Sequence, residues 1–315
     1  MRLVRNLDEL PPQLRGGAVS IGNFDGVHQG HARIVETLRT QAAKVGGPSV
    51  VFTFDPHPVR LLRPGNVPPP LTWTDRKAEL IAELNVDGMI VYPTDEQLLA
   101  LTPHEFFQRI VVEQLGSRGM VEGPNFYFGK DRGGDIGVLQ ALCDAHDIHL
   151  DVVQPLTVDS AYVSSSRIRG LIELGDVGQA AEMLTRPYRI RGMVIHGDGR
   201  GTKIGFPTAN IDAIDTILPG FGVYAGVAHL ANEQWPAAIN IGPNPTFGDD
   251  RFKVEAHLIG YSGSLYGQPL EVDFLSRVRE TRPFDSVEDL QKQLAADVAL
   301  TEKTVPIRQN SDLKI

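Results

Sequence analysis

The fold follows most directly from one run of the sequence, Gly22-Asn23-Phe24-Asp25-Gly26-Val27-His28-Gln29-Gly30-His31. A short apolar segment, residues 18–21, precedes this run, and a helical pattern of Ile34, Val35 and Leu38 follows it. A strand, a glycine-rich turn and a helix N-terminus in this order are typical of phosphate-binding loops, because free backbone N–H groups and the helix dipole favour an anion. The run therefore predicts an α/β fold with a phosphate site at this loop.

Two histidines add chemistry to this loop. His28 and His31 stand three residues apart at the start of the predicted helix, so their side chains project from the same side. Imidazole groups beside backbone N–H groups can stabilise charge on a polyphosphate. The pair resembles the HxGH signature of the nucleotidylyltransferase superfamily, whose members make or break a bond at the α-phosphate of a nucleotide. The alternative is a structural loop with histidines that cap a helix, but their pairing after a strand favours the chemical interpretation.

Length and composition indicate a globular chain with room for two domains. The 315 residues are 42% hydrophobic and 22% charged, and no apolar run approaches the roughly 20 residues of a membrane helix. One cysteine, Cys143, fits a reducing cytoplasm, and the N-terminus lacks the apolar core of a secretory signal. The net charge of −9 disfavours a nucleic-acid surface, whereas local cations beside the candidate loops suit small anionic substrates. We predict a cytoplasmic protein that binds neither membrane nor nucleic acid; the sequence leaves a homo-oligomer open.

Up to about residue 184, strand-like apolar runs alternate with helical patterns. This alternation predicts a parallel sheet with helices on both faces. The predicted strands are 18–21, 49–54, 88–91, 119–122 and 149–153, and the predicted helices lie near 29–45, 75–84, 102–114 and 137–146. The third helix has a clear start signal, with Thr102 as N-cap and Glu105 completing a capping box.

Beyond residue 187, strand-like runs predominate, and Gly and Pro punctuate them as in an antiparallel β-barrel. The predicted strands are 188–195, 222–230, 237–241, 252–259 and 270–278. A final helix is predicted from the N-cap Ser286 to about residue 300. We therefore expect one domain over residues 1–186, a second over 187–305 and a polar tail over 306–315.

Three further segments are expected to meet the loop of residues 22–31, because each follows a strand at the same edge of the sheet. They are Phe54-Asp55-Pro56-His57-Pro58, Gly123-Pro124-Asn125-Phe126-Tyr127-Phe128-Gly129-Lys130 and Ser164-Ser165-Ser166-Arg167-Ile168-Arg169. The serines can hold an anion at a helix start while Arg167 or Arg169 supplies charge, although an ordinary serine-capped helix would look the same. Together the four segments resemble the adenylyltransferase domain of the bacterial bifunctional riboflavin kinase/FAD synthetase family, over about residues 1–305.

This resemblance implies an N-terminal Rossmann-like nucleotidylyltransferase domain in which His28 and His31 are catalytic and stabilise charge on ATP. It also implies nucleotide or phosphate contacts from Gly22, Asn23, Phe24, Asp25, Gly26, Ser164, Ser165 and Arg167, and flavin contacts from Phe54 and Asn125. Relatives often carry Asp where this chain has Asn125, so this residue receives no metal or base role. The attacking phosphate of FMN is already an anion, so positioning and charge stabilisation can supply most of the acceleration.

The second dense segment is Gly197-Asp198-Gly199-Arg200-Gly201-Thr202-Lys203-Ile204-Gly205-Phe206-Pro207-Thr208-Ala209-Asn210. It lacks the spacing of a Walker A loop, yet Gly199, Arg200, Gly201, Lys203 and Gly205 can surround phosphates. Thr208 and Asn210 offer hard oxygens that suit Mg²⁺, which prefers few protein ligands beside phosphate and water. A flexible hairpin is the alternative for glycine density alone. The run 206–210 resembles the PTAN motif of riboflavin kinases, which implies flavin contacts from Phe206 and, further on, from Arg279.

Two downstream runs, residues 240–248 and 254–257, match the same family. Apolar residues alternate with Glu255 and His257 there, so these two share the polar face of a strand. The resemblance implies that Glu255 is the general base that takes the proton from the 5′-hydroxyl of riboflavin as it attacks the γ-phosphate of ATP. Such a hydroxyl is a poor nucleophile at neutral pH, so a positioned carboxylate is useful. A solvated glutamate is the alternative, and the flanking motifs favour catalysis.

The favoured function is therefore two successive transfers by one chain. Riboflavin and ATP give FMN and ADP, and then FMN and ATP give FAD and pyrophosphate, with Mg²⁺ at the phosphates. A narrower alternative is a kinase with a degenerate second site. A non-catalytic flavin carrier has no use for His28, His31 and Glu255, and a nucleic-acid-binding barrel is disfavoured by the acidic balance.

Overall fold

The computed structural model describes residues 1–62, 65, 67–231, 233–244 and 249–305. The predicted tail, residues 306–315, and part of the run 240–248 lie outside these described residues. Contacts divide the chain into two compact units. The first comprises Met1–Pro68 and Trp73–Ser164, and the second comprises Pro69–Thr72 and the chain from Ser165 onward. The domain boundary near residue 186 stays a prediction about where one activity ends and the other begins.

The first unit contains a six-stranded sheet in which every neighbouring pair is parallel. Its strands are β1 (Arg2–Val4), β2 (Ala18–Ile21), β3 (Ser49–Asp55), β4 (Gly88–Pro93), β5 (Gly119–Glu122) and β6 (His149–Val152). They lie in the order β1-β4-β3-β2-β5-β6. The parallel sheet is confirmed, whereas β1 was not among the predicted strands. A small antiparallel pair, β7 (Thr157–Val158) and β8 (Ala161–Tyr162), follows the sheet.

Helices cover both faces of this sheet, as predicted. They are α1 (Gln29–Val45), α2 (Val59–Leu62), α3 (Thr74–Glu83), α4 (Glu96–Ala100), α5 (Pro103–Phe106), a π-helix over Phe107–Gln114, and α6 (Ile136–Ala145). Alternate strand residues separate two cores. On one face Val51 and Met89 pack with α1 and α3, and on the other Phe52 and Ile90 pack with the π-helix and α6. The capping box of Thr102 and Glu105 is confirmed at the start of α5.

The second unit is built on a closed antiparallel barrel. Its elements are α7 (Ser165–Glu173), α8 (Val177–Leu184), β9 (Tyr188–Ile195), α9 (Arg200–Lys203), β10 (Ala209–Asp212), β11 (Gly222–Leu230), β12 (Glu233–Asn244), β13 (Asp249–Leu258), β14 (Pro269–Arg279) and α10 (Val287–Thr304). The strand order is β10-β13-β12-β11-β14-β9, and the unpredicted β10 closes the ring by pairing with β13 and β9. The N-cap of α10 is Ser286, whose side chain accepts a bond from the backbone N–H of Asp289. Within the described chain, no helix combines the length and apolarity needed to cross a lipid bilayer.

Candidate active sites

The glycine-rich loop lies where the strand order of the first sheet reverses. From β2 the chain runs to β3 on one side, and it later returns through β5 on the other side. The carboxyl ends of β2 and β5 therefore flank the crevice in which open α/β sheets bind ligands. The loop of residues 22–31 follows β2, and the segment beginning at Gly123 follows β5. The fold thus places two of the predicted segments at one site.

A buried carboxyl group connects the two strands that flank this crevice. Glu122 ends β5, is 3% exposed, and accepts the backbone N–H of Ile21 through Oε1 at 2.7 Å. Strands β2 and β5 pair only at Ala18 and Val19. The side chain of Glu122 therefore connects β5 to β2 at Ile21, past the last paired residues. Burial raises the pKa of Glu122 well above its usual value, although the bond from Ile21 acts in the opposite direction. Sequence reasoning did not single out Glu122.

The two histidines meet at the N-terminus of α1. Their rings are stacked, with centroids 3.7 Å apart and planes at 16°. His28 occupies the N-cap position, but its side chain makes no capping hydrogen bond to this helix. The ring of Phe24 lies against His31, with centroids 5.1 Å apart. His28 therefore does not cap α1 through its side chain, and a role of the pair in binding a ligand stays a prediction.

The backbone of the loop is held in an unusual conformation. Phe24, Gly26 and Val27 have φ of 47°, 82° and 40°, which is the left-handed region that costs residues other than glycine free energy. The carbonyl oxygen of Asn23, just before this segment, accepts two hydrogen bonds from beneath the loop. The Asn23 side-chain oxygen is buried and has no hydrogen-bond partner in the part of the chain that the structure describes. In this conformation the Asn23 amide is therefore directed into the protein, and its predicted contact with the nucleotide stays a prediction.

The remaining residues predicted for this site occupy different settings. Phe54 is half-buried near the end of β3 and contacts Phe52 edge-on, and Asn125 is exposed in the loop after β5. Ser164 is the last residue of the first unit, whereas Ser165 and Arg167 open α7 in the second. The nearby Arg169 donates to the carbonyl of Pro69 at 2.9 Å. The contributions of these residues to adenylyl transfer stay predictions.

In the barrel, one row of polar residues crosses three strands. Glu255 of β13 pairs in register with Asn210 of β10 on one side and with Asn240 of β12 on the other. Directly paired residues project on the same face of a sheet, so the carboxylate lies between two amides. Residues 254, 256 and 258 are buried, whereas Glu255 and His257 are half-buried, which confirms the predicted alternation. Asn240 lay in a predicted motif but had received no role.

A cavity at this row gathers most of the residues predicted for the second site. Its lining includes Gly199, Arg200, Gly201, Phe206, Thr208, Asn210, Glu255 and Arg279. Lys203 and Gly205 are exposed, and neither is among the described residues that line it. A Cβ on Gly201 would collide with the carbonyl of Phe206 and lie 3.4 Å from the hydroxyl of Thr208, so only glycine allows this close approach.

Two cation–carboxylate pairs were not foreseen at this cavity. Lys253 of β13 contacts Asp198 at 2.8 Å and so connects the barrel wall to the glycine-rich segment. Arg279 at the end of β14 contacts Asp297 of α10 at 2.8 Å, and its guanidinium lies 5.6 Å from the ring centroid of Phe284. The predicted flavin residue Arg279 is therefore oriented by a carboxylate from the last helix.

A glycine-rich loop at the switch point of a parallel sheet, and a barrel cavity lined by glycines and a glutamate, are features that suit an enzyme acting on a nucleoside triphosphate. A family model described as FAD synthetase matches residues 10–167, and one described as riboflavin kinase matches residues 184–305. The chain belongs to the family of bifunctional riboflavin kinase/FMN adenylyltransferases. It phosphorylates riboflavin to FMN with ATP and then adenylylates FMN to FAD.

Individual relatives agree with this placement. The bifunctional riboflavin kinase/FMN adenylyltransferase of Pseudomonas fluorescens is 37% identical over 300 residues, which cover 95% of this chain and 96% of that protein. The protein of the same description from Escherichia coli (strain K12) is 32% identical over 299 residues, covering 94% and 96%. A crystal structure described as a macrolide-efflux protein from Streptococcus pneumoniae has a TM-score of 0.84 and 28% identity, and the match covers 95% of this chain and 98% of that one.

Proposed function

We propose that each activity has its own site, with His28 and His31 serving adenylyl transfer and Glu255 serving riboflavin phosphorylation. The observation that supports this division is that each compact unit contains its own cluster: the stacked histidine pair in the first and the Asn210–Glu255–Asn240 row in the second. The two reactions attack different phosphates of ATP, so separate sites are chemically reasonable.

In the first site, the phosphate of FMN attacks the α-phosphorus of ATP, a new P–O–P bond forms, and the bond to pyrophosphate breaks. No proton has to leave the nucleophile. The imidazole groups of His28 and His31, with the backbone N–H groups at the start of α1, stabilise the charge that develops on the phosphate oxygens.

In the second site, the 5′-hydroxyl of riboflavin attacks the γ-phosphorus of ATP. The carboxylate of Glu255 accepts the hydroxyl proton, the new O–P bond forms, and ADP leaves with the electrons of the broken bond. The two flanking amides limit the directions in which this carboxylate can point. Arg200 and the N–H groups around Gly199 lie in the same cavity and suit the phosphates.

The oxygen donors of the second site fit Mg²⁺. Thr208 and Asn210 line the cavity, and the glycines at 197 and 201 let both side chains lie against the backbone, where a Cβ would collide with Asn210 and come within 3.4 Å of the Thr208 hydroxyl. Mg²⁺ commonly takes few protein ligands and completes its coordination with substrate phosphate and water, so two oxygen donors from the protein can suffice. When bound, Mg²⁺ neutralises phosphate charge; Thr208 and Asn210 would hold it.

A reciprocal pair of variants tests the division. Glu255→Gln should make no FMN from riboflavin and ATP yet still convert supplied FMN to FAD. His28→Ala should accumulate FMN and lose FAD formation by about 10²–10³-fold, because it removes charge stabilisation in the transition state. Chromatographic resolution of riboflavin, FMN and FAD measures both reactions in one sample. Loss of both activities in either variant, with the chain folded, would contradict two independent sites.

We further place the chain in the cytoplasm and without nucleic-acid partners. Its only cysteine, Cys143, is fully buried, and burial raises the pKa of its thiol to about 12. The net charge of −9 opposes binding to a polyphosphate backbone. Fractionation of cells and a nucleic-acid mobility shift at low salt test these two expectations.

A further inference from the structure

A lysine is buried beneath the loop of residues 22–31. Lys77 lies in α3, is 8% exposed, and has Ala78, Leu80 and Ile81 of the same helix buried beside it. Lysine is almost never this buried unless it is paired, because an ammonium ion loses its hydration. Burial accordingly lowers the pKa of Lys77, and the nearby charges of Asp25 and Asp55 oppose this effect. A lysine at this buried position therefore calls for a functional explanation.

The ammonium group contacts the backbone of the loop directly. Lys77 Nζ donates to the carbonyl oxygen of Asn23 at 2.7 Å, and the hydroxyl of Thr53 donates to the same oxygen at 3.1 Å. Thr53 is fully buried in β3. Two fixed donors on one carbonyl set the plane of the peptide that joins Asn23 to Phe24.

The peptide between Asn23 and Phe24 is connected to the histidine pair through the side chain of Phe24. Phe24 follows it in the left-handed region at φ 47°, and the ring of Phe24 contacts His31, which is stacked on His28. A left-handed phenylalanine persists only where its surroundings hold it. The contacts therefore run without interruption from Lys77, through the Asn23 carbonyl and Phe24, to the histidine pair.

Charge gives Lys77 a second effect. Asp25 is the one acidic residue in the run 22–31 and is 5% exposed. An uncompensated carboxylate in a loop that receives a triphosphate would repel the substrate. The charges of Asp25 and Asp55 both favour the ammonium form of Lys77 against the effect of burial on its pKa, and this ammonium in turn offsets part of the charge of Asp25.

We propose that Lys77 is a positioning residue for FAD synthesis, which holds the nucleotide loop through the Asn23 carbonyl and neutralises Asp25. It does not contact the reacting atoms and acts on ATP through the loop. This inference rests on the proposed assignment of the loop and the histidine pair to adenylyl transfer.

The test compares Lys77→Met with Lys44→Met, which removes an exposed lysine from α1 in the same unit. Rates of FAD formation are measured against ATP at saturating FMN; thermal unfolding of the same chain reports on folding of the first unit, and riboflavin phosphorylation reports on the second. Lys77→Met should raise KM for ATP about tenfold or more, since a charged hydrogen bond is lost, and leave riboflavin phosphorylation and the Lys44→Met control unchanged. The double variant Lys77→Met/Asp25→Asn should raise KM by less than the product of the two single effects, because the charges of Lys77 and Asp25 act on each other. A merely structural role predicts no such coupling.

If Lys77→Met has a KM for ATP in FAD formation within twofold of that of the unsubstituted chain, the inference is overturned. If the first unit of Lys77→Met does not fold, Lys77→Gln decides in its place: it removes the ammonium charge at the same position, and an unchanged KM for ATP overturns the inference. If His28→Ala still forms FAD at the normal rate, the assignment of the site is refuted. If His28→Ala loses FAD formation while Lys77→Met keeps it unchanged, only the role of Lys77 is refuted.

Discussion

Replacement of Asp297 by alanine should strongly destabilise the second unit. The side chain of Asp297 is 2% exposed and accepts bonds from Arg279 Nε at 3.0 Å, Arg279 Nη2 at 2.8 Å and Gln293 Nε2 at 2.9 Å. Arg279 is itself only 18% exposed, so the substitution leaves a largely buried guanidinium without its counter-charge. Removing one partner of a buried ion pair costs about 3–5 kcal/mol. In a domain of about 150 residues, each kcal/mol lowers Tm by about 2–4 °C, so we expect a loss of about 6–20 °C.

Calorimetry of the full chain measures this change in Tm. The transition of the second unit is the one whose Tm rises when riboflavin is added. Glu302→Ala, an exposed acidic residue of the same helix, is the matched control and should change Tm by less than about 2 °C. A double-mutant cycle with Arg279→Met isolates the pair. A loss in Asp297→Ala no larger than in the control, or a coupling energy below about 0.5 kcal/mol, would refute the reasoning.

Two further substitutions test buried carboxyl groups through pH. Burial raises the pKa of Glu122, so its contribution to stability is full below the ordinary carboxyl pKa and is lost as pH rises through the raised value. The stability of Glu122→Gln, measured by urea unfolding, should therefore increase relative to that of the unsubstituted chain from acid to alkaline pH. Stability curves that run parallel over this pH range would contradict this. Burial also raises the pKa of Asp273, but hydrogen bonds from His229 and Arg189 outweigh it, so the pKa lies below its usual value and the stabilisation is lost as pH falls through that lowered value. Asp273→Asn should cost about 3 kcal/mol near pH 7 and progressively less in acid, and a cost that does not depend on pH would contradict the assignment.

Most strands and helices could be predicted because their signals are local. Alternation of buried residues and the caps at Thr102 and Ser286 depend on neighbours in the chain, and the structure confirms them. The strands β1 and β10 were missed because each exists through pairing with distant strands, and the residues of β10 overlap the glycine-rich run 197–210, which was interpreted as a binding segment. The strand order that places the loop at a switch point likewise depends on long-range contacts.

The buried charges were missed for a different reason. A charged residue in a helix is normally taken as part of the solvated face, so Lys77 and Asp297 drew no attention. A signal was nevertheless present, because Asp297 lies seven residues after Leu290 and four before Thr301, on the stripe that packs inward. Lys77 similarly lies four residues before Ile81 on the buried face of α3. A charge at an apolar position of the helical period is the pattern that indicates such residues.

The two proposed sites differ in the chemical groups that their reactions require. The hydroxyl of riboflavin must lose a proton, and the proposed base, Glu255, lies in a strand between two amides that restrict its direction. The phosphate of FMN is already charged, and the loop of residues 22–31 offers imidazoles and N–H groups, with its single carboxylate, Asp25, beside a buried ammonium. A carboxylate free to deprotonate the hydroxyl would also repel the FMN phosphate in the next step. One pocket would therefore serve one reaction at the expense of the other, which is a physical reason for two.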